Sequence, residues 1–368
     1  MGEMRYCTMS KQDQKPAVMQ RETIVDADVH VTISADDLAP YLDEPHRSRI
    51  LSTSTYPGSP GSDWDTTLSG KIDQRQLDGP EAVEEDLVKK LHIDHPLLNN
   101  ISGVSRLPDT DLAVELMRAT NDVLLDKYLD QTEFFGLGVV APQAPDKAAE
   151  EIDRLGDESQ IKGIFLETYG QQPPRGDPSH DAIYQAAADN GLHIAFHGAA
   201  ATGFKVDFPM QNQGAERFLT IHTLAHLWQQ TLALTSLLVQ GVPAKFPELN
   251  FVFLEAGISW VPYMMWRLNK EYSMRRSEAP LLEKSPEEYI RDQFYFASQP
   301  LGEPNTPAQL QQVLDIVGPE SLMFATDYPH WDFDHPTELD DHLQAYFSPE
   351  EREQVLHKTP VEAFDLTV

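Results

Sequence analysis

The chain has 368 residues, is 40% apolar and carries a single cysteine, Cys7, so no intramolecular disulfide can form and a Cys-rich zinc finger is excluded. Asp and Glu total 59 against 28 Lys plus Arg, a formal charge of -31 that repels phosphate backbones and excludes nucleic acid as a partner. No run reaches the roughly 18 unbroken apolar residues of a membrane span, and the N-terminus lacks the apolar core of a secretory signal, so a cytoplasmic location is expected.

Residues 1–20 are polar and read as a loose tail, with one domain expected over 21–368. From there, short apolar runs alternate with segments of helical period. The predicted strands are Thr23–Val31, Asp94–Asn99, Phe134–Ala141 and Ile161–Glu167, then His193–Gly198, Asn250–Ala256, Gln293–Gln299 and Ser321–Asp327. Such runs are what a parallel strand buried on both faces produces. The helical periods are Leu112–Leu129, Lys147–Leu155, Asp181–Asn190, Ala215–Gln240, Thr306–Val317, Pro336–Tyr346 and Pro349–Phe364. Thr306 is placed as an N-cap, with Pro307 at the first helical position. Eight strands alternating with helices predict an α/β fold, a (β/α)₈ TIM barrel. An open doubly wound sheet would show a Gly-rich turn after its first strand, where this chain has Asp-Ala-Asp-Val-His. Residues 57–80 are rich in Pro, Gly, Ser and Asp and mark a long insertion, about 50–80, after the first strand.

In such a barrel the active site forms at the carboxyl ends of the strands. Those ends carry Asp28 and His30, Asn99, Glu167, His197, Glu255, Ser298 with Gln299, and Asp327. Residues two apart on a strand point to one side, so Asp28 and His30 project together into the barrel. A carboxylate beside an imidazole suits Zn²⁺, Mn²⁺ or Fe²⁺. Each residue alone has an ordinary structural explanation: a capping Asp, a core His, a turn Asp. The order Asp-x-His, then His, then Asp over strands one, five and eight is what raises a metal site above those explanations.

The stretches VDADVH (25–30), FHG (196–198), LEAGISWVPYMMWRLNK (254–270), FASQP (296–300) and FATDYPHWDFDHP (324–336) make the chain resemble a known family. It is the amidohydrolase-related group that includes aminocarboxymuconate-semialdehyde decarboxylase and the resorcylate-type decarboxylases. The resemblance runs from about Ile24 to Leu366. It implies a distorted barrel with one divalent metal, zinc first and manganese or iron next, held by Asp28, His30, His197 and Asp327. Binuclear relatives with a carboxylated lysine need Lys at the end of the fourth strand. Here Lys162 stands at its start and Glu167 at its end. Many family members carry a His where this chain has Glu255, and a carboxylate can act as a base but not as a cationic donor.

Hydrolysis by metal-activated water is the first reading, with Asp327 as base and Glu255 and His330 as further catalytic groups. Non-oxidative decarboxylation through the same residues is the second, and a non-catalytic ligand-binding barrel the third. The substrate is expected to be a small carbonyl or carboxylate compound, contacted by Gln299, His226 and Arg267, the last of which could equally form a structural salt bridge. His222 and His226 share a helical face, four residues apart, and His330 and Asp332 are expected to orient Asp327 or line the pocket. Trp260, Tyr263 and Trp266 read as packing or a subunit contact, and a homo-oligomer, a dimer, is expected. The acidity also predicts a surface suited to molar salt.

Overall fold

Parallel strands buried on both faces need helices on the outside and a packed interior, and the chain supplies both. A computed structural model of the chain describes residues 22–52, 77–168, 173–199, 218–302, 304–330, 332–344 and 347–368. The polar tail and nearly all of the 57–80 stretch lie outside the described residues.

Eight parallel strands follow one another in chain order: β1 (Val25–His30), β2 (His95–Asn99), β3 (Phe135–Val139), β4 (Ile161–Glu167), β5 (His193–His197), β6 (Phe251–Leu254), β7 (Phe294–Ala297) and β8 (Leu322–Met323). The barrel closes through backbone bonds between β1 and the segment after β8. Ala27 N–H donates to the Phe324 carbonyl, Asp327 N–H to Asp28 and His30 N–H to Tyr328. The predicted (β/α)₈ barrel is therefore the observed one.

Two apolar shells hold it. Val25, Ala27, Leu97, Leu137, Val139, Phe165, Ala195, Val252, Leu254, Met323 and Ala325 fill the interior, and the C-terminal residues Phe364 and Leu366 join them. Phe364 approaches Gly163, which pairs with the first residue of β5, so the C-terminus plugs the amino-terminal floor of the barrel. The outer shell lies between strands and helices. With the floor closed, only the carboxyl ends of the strands are left to build a site.

Several helices escaped the pattern reading, among them Val261–Arg275 and Pro286–Gln293. The latter carries a capping box: Ser285 Oγ accepts from Glu288 N–H while the Glu288 carboxylate accepts from Ser285 N–H. The same Ser-Pro-Glu-Glu sequence caps Pro349–Glu353 through Ser348 and Glu351.

Candidate metal centre

β1 carries one extra residue. Asp26 pairs with Pro96 and Val29 with Leu98, so Ala27 and Asp28 together face Leu97. A bulge of this kind shifts the alternation of side chains by one. Val25 and Ala27 thus line the apolar interior below it, while Asp28 and His30 both enter the polar mouth above it. Asp26, thrown to the other side, accepts from Thr326 N–H at 3.0 Å and Thr326 Oγ at 2.5 Å, tying β1 to the strand that presents Asp327. Burial pushes the Asp26 carboxyl up to about 7.

The expected ligands converge. One donor atom each from Asp28, His30, His197 and Asp327 lies within 4.8 Å of the others, and all four residues are buried. His30 Nε2 stands 2.8 Å from Asp327 Oδ1 and 3.5 Å from Asp28 Oδ1, and His197 Nε2 stands 3.5 Å from Asp28 Oδ2. Asn99, at the end of β2, donates to Asp28 Oδ1 at 2.7 Å. The other oxygen, Asp28 Oδ2, is buried without a hydrogen bond, and so is His197 Nε2. Buried polar atoms without partners are rare and costly, about 1–3 kcal/mol each. His197 Nδ1 donates to the Gly198 carbonyl at 2.5 Å, which leaves the Nε2 lone pair of the neutral ring aimed at the cluster. Two orphaned donors, two carboxylates and two imidazoles within one ion's reach fit a divalent transition metal.

The electrostatics agree with a site short of positive charge. Burial pushes Asp28 up, but His30 and His197 outweigh it and hold the carboxyl below its usual range. Burial likewise opposes a charged His197, yet Asp28 and Glu255 lift its pKa well above the usual value. The field that pulls a proton onto His197 also pulls a cation. Burial and the Glu255 charge push Asp327 well up, and Asp327 in turn lifts His330, 2.7 Å away, to about 9.

Glu255 lies between two donor sets. Its Oε2 is 3.1 Å from His197 Nε2 and its Oε1 is 3.2 Å from His226 Nε2. Helix Phe218–Val239 brings His226 there because Gln230 donates to the carbonyls of Phe196 and Leu254, and Gln229 bonds both backbone groups of Ala199. Gly198 permits the approach, since a Cβ there would meet His226 at 2.8 Å. Glu255 and Asp327 both hold positive φ, +50° and +65°. That backbone costs roughly 1–3 kcal/mol for a residue with a side chain. Both strained residues stand in the cluster.

The other expected residues divide. Gln299 reaches the centre, donating to Asp327 Oδ2 at 3.3 Å, and His330 pairs with Asp327 as expected. Asp332 instead faces His222, 3.5 Å away. Arg267 lies half exposed on helix Val261–Arg275, its guanidinium 2.5 Å from Glu271, in the structural salt bridge that the sequence left open beside a substrate contact. Trp260 packs on Phe253 and Phe296, whereas Tyr263 and Trp266 are exposed. Glu167 is spent on structure, its oxygens accepting from Gly103 N–H, Ser105 N–H and Ser105 Oγ. Sequence reasoning missed the pinning glutamines, Gln229 and Gln230; three to four residues past His226, they share its helix face.

A family model described as Amidohydrolase matches residues 96–366. Gamma-resorcylate decarboxylase of Rhizobium sp. (strain MTP-10005) is 23% identical over 249 residues, spanning 65% of this chain and 73% of that protein. The structure of 5-carboxyvanillate decarboxylase from Sphingomonas paucimobilis superposes with a TM-score of 0.71 at 21% identity, covering 94% of this chain and 99% of the other. A variant of 5-carboxyvanillate decarboxylase from Novosphingobium aromaticivorans, solved with manganese and 3-methoxy-4-hydroxy-5-nitrobenzoic acid, gives 0.69 at 20% identity, covering 96% of this chain and 100% of the other.

Proposed function

Since the chain belongs to the amidohydrolase family, we propose that it is a divalent-metal-dependent enzyme catalysing non-oxidative decarboxylation of a small hydroxylated aromatic or enoic acid. Asp28, His30, His197 and Asp327 would hold the metal, and the observation that carries the reading is their convergence around the orphaned Asp28 Oδ2 and His197 Nε2. Zinc, manganese and ferrous iron all suit this donor set. When bound, such an ion supplies positive charge that binds and polarises a substrate carboxylate or the oxygen beside it.

The protein's own residues supply the proton. Asp327 and His330, 2.7 Å apart, would share it. Transfer of that proton to the carbon bearing the carboxylate forms a C–H bond. The electrons of the breaking C–C bond then restore the substrate's π-system as CO₂ leaves, and solvent reprotonates the pair. Gln299, donating to Asp327 Oδ2, orients the acid. Glu255, ionised between His197 and His226, is a charge anchor in this reading and not the donor.

The decarboxylase names of similar proteins support decarboxylation over hydrolysis, the reverse of the order that the sequence suggests. Product analysis on ortho-hydroxylated benzoic acids tests the choice. CO₂ release without ¹⁸O from labelled water in the aromatic product supports decarboxylation; ¹⁸O incorporation from a carbonyl substrate restores hydrolysis. No helix among the described residues is long and apolar enough to cross a membrane.

A further inference from the structure

A second group of donors stands beside the first. One donor atom each from His222, His226 and Glu255 lies within 4.8 Å of the others. His222 and His226 are one helical turn apart, with ring centroids 5.4 Å apart, and Asp332 faces His222 at 3.5 Å. Resting on the metal-centre reading above, we propose that His222, His226 and Glu255, with Asp332 beside them, form a second binding site for a divalent transition-metal ion, Glu255 bridging it to the first.

Three observations support it. Glu255 presents a different oxygen to each set, Oε2 toward His197 and Oε1 toward His226, as a bridging carboxylate must. Its left-handed backbone, φ +50°, is strained to hold it there. And Asp28, Asp327, Glu255 and Asp332 bring four carboxylates into one pocket, yet their ion-pair partners among the described residues are all histidines, with no lysine or arginine. An ion held by His222, His226 and Glu255 would neutralise carboxylates that no lysine or arginine among the described residues pairs with. Two imidazoles and two carboxylates again suit zinc, manganese or ferrous iron. The ligands come from the end of β6 and from helix Phe218–Val239, so this site needs no lysine at the end of β4.

Chelator-stripped protein titrated with Mn²⁺ decides the matter, with bound metal counted per chain and electron paramagnetic resonance read in parallel. The expected result is two ions per chain with spin coupling between them. The double variant His222→Ala/His226→Ala should fall to one ion and show an uncoupled signal, with circular dichroism unchanged. Single His222→Gln, at a half-buried position, is the milder control and should weaken the second ion about 10-fold or more while sparing the first. One ion in the unaltered protein overturns the second site and leaves the metal centre standing. Two ions persisting in the double variant, or both lost from a folded variant, also overturn it. No ion at all in the unaltered protein overturns the functional reading itself.

Discussion

The barrel mouth over β4 and the mouth over β1 each bury a carboxylate, yet the two are used differently. At β4, Glu167 is fully engaged: three donors from the loop at 103–105 fill its oxygens. At β1, Asp28 receives one donor, Asn99, on Oδ1, and keeps Oδ2 buried without a partner. A buried carboxylate whose two oxygens are both hydrogen-bonded stabilises the fold; one with a bare oxygen leaves a lone pair open to a ligand. Strand-end position alone does not separate the two, but hydrogen-bond satisfaction does.

Substitutions should break that contrast in order of size. Asp327→Asn removes the acid that shares a proton with His330, and turnover should drop by about 10²–10⁴-fold, while circular dichroism stays native. Unchanged turnover would remove Asp327 from the catalytic role assigned to it. Asn99→Ala releases Asp28 from its orienting donor, and metal affinity, read by competition with a chromogenic chelator, should weaken about 10–100-fold. Glu167→Ala should do the reverse. It leaves metal content intact but strands the donors of the 103–105 loop, lowering stability to urea by about 1–3 kcal/mol. Metal loss in that variant would erase the distinction between the two mouths. The smallest effect concerns the surface carboxylates behind the net charge of -31. Screening by KCl relieves their repulsion, so the thermal midpoint should climb between low and molar salt, and a flat profile removes the case for a salt-adapted surface.

Much of this was legible in the chain itself. Parallel strands buried on both faces must be apolar runs, so all eight strands were located, and β4 runs over the predicted Ile161–Glu167. β8 is shorter than its run, only Leu322–Met323, because the chain beyond it turns to bond β1 and close the barrel. Asp28, His30, His197 and Asp327 were legible as polar groups ending otherwise apolar strands, and the family resemblance singled them out as one set. Partners from distant segments were not legible. Nothing near Glu167 announces that Ser105, 62 positions away, will occupy it. Nor does periodicity show that the β1 bulge sets Asp28 inward next to an inward Ala27, or that Arg267 turns outward to Glu271. Helix Pro286–Gln293 was announced by its Ser-Pro-Glu-Glu cap, a short signal masked by the lack of a long apolar period.

Anomalous scattering from crystals grown with Mn²⁺ tests the metal centre most directly. The expected map holds an ion among Asp28 Oδ2, His30 Nε2, His197 Nε2 and an Asp327 oxygen, at bond lengths of about 2.0–2.2 Å. Ion density elsewhere in the barrel with these four side chains uncoordinated would contradict the account.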